Sequence, residues 1–169
     1  MTDAVEKIRE GGVETLIHGE MAPGFMGLLL GQLVDRLVEE GGPSAQRAGI
    51  RAPLRTFSMI SLLARKDLTV TEIAPLLGVT HAGVIKTEKA LEKLGFVDRG
   101  QDPDDARRKP LRLTGAGRDE ARRISVYMAR ASAVYQAIFA ETGFNLFEAA
   151  RAFEAALDRQ GFDARMQAD

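Results

Sequence analysis

Residues 69–114 read TVTEIAPLLGVTHAGVIKTEKALEKLGFVDRGQDPDDARRKPLRLT, and the order of signals in this stretch decides the fold. Thr69 and Glu72 have the spacing of a capping box: the hydroxyl accepts from a backbone N–H three residues on and the carboxylate reaches back, so a helix starts here. Gly78 can take the left-handed conformation that a tight helix-helix turn requires. Thr80 then serves as N-cap of a second helix, Thr80 to Leu94. Pro75 lacks an N–H inside the first helix, which predicts a kink or a late start. Leu94-Gly95-Phe96-Val97 ends the second helix and opens a strand, and Leu111 and Leu113 alternate as the returning strand. Helix, turn, helix and hairpin in this order make a winged helix.

At about 100° per residue, Val84, Thr87, Glu88, Leu91 and Leu94 gather on one side of the second helix, while Ala82, Lys86, Lys89 and Lys93 lie on the other. Considered alone, the lysine face is equally well read as a solvated surface. The hairpin tip, Asp102-Pro103-Asp104-Asp105-Ala106-Arg107-Arg108-Lys109-Pro110, makes a protruding turn and then presents consecutive cations. Arginine at such a tip suits a DNA minor groove, where negative potential is concentrated. A tip charged only for solubility is the alternative.

Outward from this core, Phe25, Leu28, Leu29, Leu33 and Leu37 form one stripe at helical period, predicting a helix from Met21 or Gly24 to Glu40. Gly41, Gly42, Pro43, Gly49 and Pro53 predict a loop between Gly41 and Pro53. A short helix follows from Leu54 to Arg65, with Phe57, Ile60, Leu62 and Leu63 for burial. Beyond the hairpin, Ile124, Met128, Ala131, Tyr135 and Ile138 form one seam-like stripe, and Leu146, Ala150, Phe153 and Leu157 another. Asn145 and Glu148 have the spacing to cap the last helix. These stripes exceed what one small lobe covers, which favours dimerisation over packing on the chain's own lobe. The expected fold class is mainly α with a small β-hairpin wing. Its organisation is an N-terminal segment and dimerisation helix over 1–53, a winged helix-turn-helix lobe over 54–115, and C-terminal dimerisation helices over 116–169.

The net charge of −1 hides segments of opposite sign. Residues 1–53 hold 5 Lys and Arg against 8 Asp and Glu, residues 54–112 hold 11 against 8, and residues 113–169 hold 7 against 8, giving −3, +3 and −1. Positive charge thus sits on the helix-turn-helix and wing, as expected where one face meets phosphates and the rest repels them. The absence of cysteine excludes disulfides and thiol redox chemistry. The acidic first twenty residues do not read as a secretory leader, so the expected location is cytoplasmic. The greasiest run, Gly24 to Val34, falls short of the roughly 20 residues needed to span a bilayer. His18 and His81 are the only histidines and lie in different regions, which argues against a metal site. Gly-rich phosphate loops, a nucleophile elbow and clustered His and carboxylates are all missing, so no enzyme is expected.

The run from Leu54 to Gly117 resembles the MarR family of winged-helix regulators. The resemblance rests on the helix-turn-helix, a Leu-x-x-x-Gly-x-Val step (Leu91, Gly95, Val97), the wing's Asp-x-Arg (Asp105, Arg107) and a closing Leu-Thr-x-x-Gly (Leu113, Thr114, Gly117). It implies a homodimeric, ligand-responsive repressor on a pseudo-palindromic double-stranded DNA operator, released by a small aromatic or phenolic effector. Thr80 would contact a phosphate or cap its helix. His81, Ala82, Gly83 and Lys86 would approach base edges, with Lys86 able to bond guanine O6 and N7. Lys89 and Lys93 read as phosphate partners. Arg107 would enter the minor groove, held by Asp105, with Arg108 and Lys109 on phosphates. An effector pocket near Phe25, Phe57, Met59 and Tyr127 follows by family analogy, although the same residues read more readily as plain core. Glu88, Gly83 and Ala106 depart from the family pattern. The alternative function is a winged-helix protein-interaction scaffold without specific DNA binding.

Overall fold

The computed structural model describes His18, residues 22–101 and residues 108–168. A 3-10 turn over Ala22–Phe25 leads into α1 (Met26–Arg47), and a second 3-10 turn, Leu54–Thr56, leads into α2 (Phe57–Leu63). Then come α3 (Val70–Leu77), α4 (His81–Lys93), β1 (Val97–Arg99), β2 (Leu111–Leu113), α5 (Gly115–Thr142), α6 (Leu146–Arg159) and α7 (Phe162–Met166). The chain divides into two compact units between Ile124 and Ser125. Among the described residues no helix is long and apolar enough to cross a membrane.

Local capping chemistry sets α3 and α4. The Glu72 N–H donates to Thr69 Oγ1 at 3.3 Å, and the Thr69 N–H donates back to the Glu72 carboxylate at 2.7 Å. Gly78 takes φ 63° and ψ 31°, and the Val79 N–H donates to the Ala74 carbonyl at 3.0 Å, so α3 ends in a Schellman turn. The late start expected from Pro75 does not occur. The capping box fixes the first turn at Val70, and the donor missing at Pro75 affects only the exposed Thr71 carbonyl, which water can satisfy. A second Schellman turn closes α4: Gly95 has φ 73°, and the Phe96 N–H donates to the Leu91 carbonyl at 3.0 Å.

The short hairpin pairs Val97 with Leu113, Asp98 with Arg112 and Arg99 with Leu111. Leu68 adds a single bridge to Leu111, with bonds of 3.2 and 2.8 Å in the two directions. Met59, Ile60, Ile73, Val84, Leu91, Phe96, Leu111 and Ile124 form the buried heart of the first unit. In α2, Met59 is buried where Leu62 was expected, and Leu62 is half-buried.

One expectation about the N-terminal region needs correction. Helix α1 does not stop at Glu40 but runs through Gly41-Gly42-Pro43 to Arg47. Burial of Ala45 and Ile50 decides this, with the Ile50 N–H donating to the Ala45 carbonyl at 3.0 Å and Ser44 Oγ donating to the Gly41 carbonyl at 2.9 Å. Tertiary packing therefore outweighs the weak helix propensity of the three residues. The apolar stripe of α1 is also left largely open: Leu28, Leu29 and Leu37 are exposed, as are Met26, Leu30 and Val34.

The closing Leu-Thr-x-x-Gly has a geometric cause. Thr114 Oγ1 donates to the Gly95 carbonyl at 2.6 Å and accepts from the Gly117 N–H at 3.0 Å, while the Thr114 N–H donates to the Phe96 carbonyl at 3.0 Å. A Cβ on Gly117 would lie 1.9 Å from the Phe96 oxygen, so only glycine permits this approach. One turn later the buried Glu120 accepts from the Arg51 and Ala52 N–H groups at 2.5 and 2.7 Å, and from Arg123 at 2.9 Å. In the second unit, the Glu148 N–H donates to Asn145 Oδ1 at 3.1 Å, the cap anticipated for α6. Met128, Tyr135, Ile138, Leu146 and Phe153 of the two seam-like stripes are exposed.

Gly117→Ala is expected to destabilise the protein by about 3 kcal/mol in urea unfolding, because backbone must move to admit the methyl group. Gly115→Ala, whose Cβ would meet nothing within 4 Å, should be neutral or stabilising by about 0.5 kcal/mol.

Candidate nucleic-acid interface

Helix α4 presents two chemically opposite faces. Val84, Glu88 and Leu91 are buried, whereas His81, Ala82, Lys86, Lys89 and Lys93 are exposed. None of the three lysines has an ion-pair partner among the described residues. Thr80 caps the helix by accepting from the Gly83 N–H at 3.1 Å. A Cβ on Gly83 would come within 3.3 Å of that hydroxyl, so the poor helix former keeps the cap uncrowded. The Thr87 hydroxyl donates to the Gly83 carbonyl at 3.0 Å.

The inward face carries one charge. Glu88 is 1% exposed, and its Oε1 lies 2.6 Å from Arg99 Nη2 at the end of β1, while neither carboxylate oxygen meets hydrogen-bond geometry. On the wing, Arg108 Nη2 donates to both Glu72 oxygens, at 2.8 and 3.0 Å. Lys109 is exposed, and Arg112 pairs with its cross-strand neighbour Asp98 at 2.6 Å. Asp105 and Arg107 lie outside the described residues.

Sequence reasoning missed Ile85. It is an exposed aliphatic residue beside Ala82 and Lys89 at i−3 and i+4, which puts an apolar group on the cationic face. Such a side chain can contact a thymine methyl in the major groove. Its place on the helical wheel beside Lys89 and away from Val84 and Leu91 was the available signal.

Each of the four residues proposed for an effector is placed within its own unit. Phe57 and Met59 are buried in the core of the first unit, Phe25 is half-buried before α1, and Tyr127 is half-buried in the second unit. A polar depression of about 250 Å³, lined by Arg65, Lys66, Asp67, Arg112 and Arg118 among others, contains none of them. Among the described residues no three His, Asp or Glu side chains gather in a metal-binding group.

Residues 53–108 match the sequence model of the MarR family. No curated protein matches the chain significantly. Among solved structures, the fold is similar to a probable transcriptional regulator from Pseudomonas aeruginosa, with TM-score 0.58 and 23% identity over 78% of this chain and 96% of that one. The adhesin competence repressor AdcR from Streptococcus pyogenes gives TM-score 0.57 and 20% identity over 80% and 96%. The haem sensor protein PefR from Streptococcus agalactiae, in complex with haem, gives TM-score 0.54 and 16% identity over 86% and 98%. At these identities the likeness is one of fold.

The Glu72 carboxyl is held below the ordinary glutamate range, first by the Thr69 backbone N–H and further by the Thr69 hydroxyl and Arg108. A depressed carboxylate pKa contributes stability that is present above the unfolded value, about 4.3, and is lost as pH falls through the folded value. Glu72→Gln keeps an acceptor for the cap but loses the charge. Its thermal midpoint should lie below that of the wild type at pH 7, and the gap should close as pH is lowered past about 4. A gap that is independent of pH would show that the charge of Glu72 does not stabilise the fold.

Proposed function

We propose that the protein is a sequence-specific regulator of transcription that binds double-stranded DNA as a homodimer, a reading supported by the match of residues 53–108 to the MarR family model. The observation that carries this reading is the outer face of α4, where His81, Ala82, Lys86, Lys89 and Lys93 stand exposed on a helix anchored from behind by Val84 and Leu91. In a major groove, His81, Ala82, Gly83 and Lys86 approach base edges, and Lys86 can bond guanine O6 and N7. Thr80, Lys89 and Lys93 meet phosphates, which position the helix without reading sequence. Lys109 extends the phosphate contacts along the wing, and Arg107, with Asp105 beside it in sequence, is assigned to the flanking minor groove.

The exposed apolar residues of α1, α5 and α6 support the dimer, since a second copy would cover them. A twofold dimer reads an inverted repeat, so the operator would be pseudo-palindromic. The family resemblance further supports a cytoplasmic repressor released by a small aromatic or phenolic effector. Haem belongs to the PefR structure and is not assigned to this chain.

Selection of bound fragments from random or genomic DNA at physiological salt should enrich an inverted repeat, whereas failure to enrich any sequence would favour a protein-interaction scaffold. On the selected operator, Lys86→Ala should weaken binding by about 1–3 kcal/mol and relax preference at one base position. Lys93→Ala should weaken all sequences alike and reduce the salt slope by about 1. Arg107→Ala should cause a large loss of affinity at fixed salt, and unchanged binding would remove the wing from the mechanism. Ile138→Asp combined with Phe153→Asp should give monomers in sedimentation analysis, and a dimer of undiminished affinity would reject the assigned interface.

A further inference from the structure

Each arm of the wing is tied by an ion pair to a different helix of the helix-turn-helix. The outgoing arm ends at Arg99, whose guanidinium lies 2.6 Å from Glu88 on the buried face of α4. The returning arm begins near Arg108, whose guanidinium contacts the α3 capping residue Glu72 at 2.8 Å. The two strands are three residues each, and a hairpin of this size is marginal by itself. Among the described residues the backbone adds the Leu68 bridge and the Gly100 N–H bond to the Pro110 carbonyl at 2.7 Å.

Stability alone does not account for Glu88. It lies in line with Val84 and Leu91, where an aliphatic side chain would pack without burying a charge, and its oxygens obtain no well-formed hydrogen bond. Replacing a buried ion pair by apolar residues is often neutral or stabilising, and fixing one geometry among several is the attested use of such pairs. We propose that Glu88–Arg99 and Glu72–Arg108 are positioning pairs that hold the wing in fixed register with the recognition helix α4, so that major-groove and flanking contacts are made with one spacing. This rests on the DNA-binding reading above. In it Arg108 acts through Glu72 and not on a phosphate.

The test uses the full chain with Arg108→Gln, which leaves Glu72 to cap α3, together with Glu88→Leu and Arg99→Leu, which replace the buried carboxylate and its exposed partner by apolar side chains so that the lobe still folds. Without DNA, hydrogen exchange should accelerate roughly tenfold at the Gly100 and Leu111 amides and stay unchanged at Phe96, which closes α4. On the selected operator, hydroxyl-radical footprinting should show protection lost from the flanks and kept at the centre. Affinity should fall roughly tenfold while the slope of log affinity against log salt is unchanged. Exchange and flank protection equal to the wild type would overturn the proposal. A slope reduced by about 1 for each arginine removed would also overturn it, because the arginines would then be phosphate contacts. Wild-type protein that gives no footprint would overturn the DNA-binding reading, and the exchange measurement would still decide whether the pairs hold the wing.

Discussion

The close approach of Gly117 to the Phe96 carbonyl is the constraint on which the first unit is built. Phe96 lies in the turn after α4 and leads into β1, so one carbonyl marks the end of the helix and the root of the hairpin. Thr114 bonds to the Gly95 and Phe96 carbonyls, and Gly117 lets α5 lie against them. The same side of α5 then carries Glu120 and Ile124, both buried. Along one stripe the helix uses a missing side chain, a satisfied carboxylate and an aliphatic residue. Glu120 brings the segment before α2 to the same helix through the Arg51 and Ala52 amides. Helix α4, the root of the hairpin and the residues after α1 are therefore referenced to one element.

The outer face of α4 shows a different balance. Lys86, Lys89 and Lys93 follow one another at i+3 and i+4, spacings at which like charges destabilise a helix by about 0.2–0.5 kcal/mol per pair. Gly83 adds the entropic cost of glycine near the first turn, about 0.5–1 kcal/mol relative to alanine. The free protein carries these costs against a buried face of Val84 and Leu91 and a well-made cap at each end. Phosphates brought against the lysines would replace repulsion by attraction and release condensed counterions. Local destabilisation on an exposed face is thus consistent with a surface shaped for a polyanion.

What could be read from sequence was mostly local. The capping box at Thr69 and Glu72, the left-handed Gly78, the Thr80 cap and the lysine face each depend on residues within about one or two turns, and their geometry follows the pattern. The continuation of α1 through Gly41-Gly42-Pro43 was not legible, because burial of Ala45 and Ile50 overrides the local signal. The late start expected from Pro75 failed for a related reason: the capping box fixes the first turn of this eight-residue helix at Val70. At the site, Glu72 and Arg108 are 36 residues apart, and no spacing rule joins them. Glu88 could be recognised as unusual from its place among Val84 and Leu91, but its partner Arg99 emerges only from the register of β1 beside α4.

The exposed apolar rows pose a solubility problem whose solution restricts the quaternary structure. Leu28, Leu29, Leu30, Val34 and Leu37 of α1 are exposed in the first unit, as are Val134, Ile138, Phe147 and Phe153 in the second. A net charge of −1 and an isoelectric point near 6.2 give little electrostatic protection against self-association. Rows of this kind either lead to open-ended association or are covered by an interface that closes. An isologous twofold contact closes after two copies because each surface meets its own counterpart, whereas a head-to-tail contact propagates unless its rotation happens to close a ring. The same twofold axis would set two α4 helices in opposite senses, the arrangement needed to read an inverted repeat. In the proposed dimer, covering the apolar rows and duplicating the lysine face would be two consequences of one symmetry operation, linking the helices outside the winged helix to the way its sequence preference would be expressed.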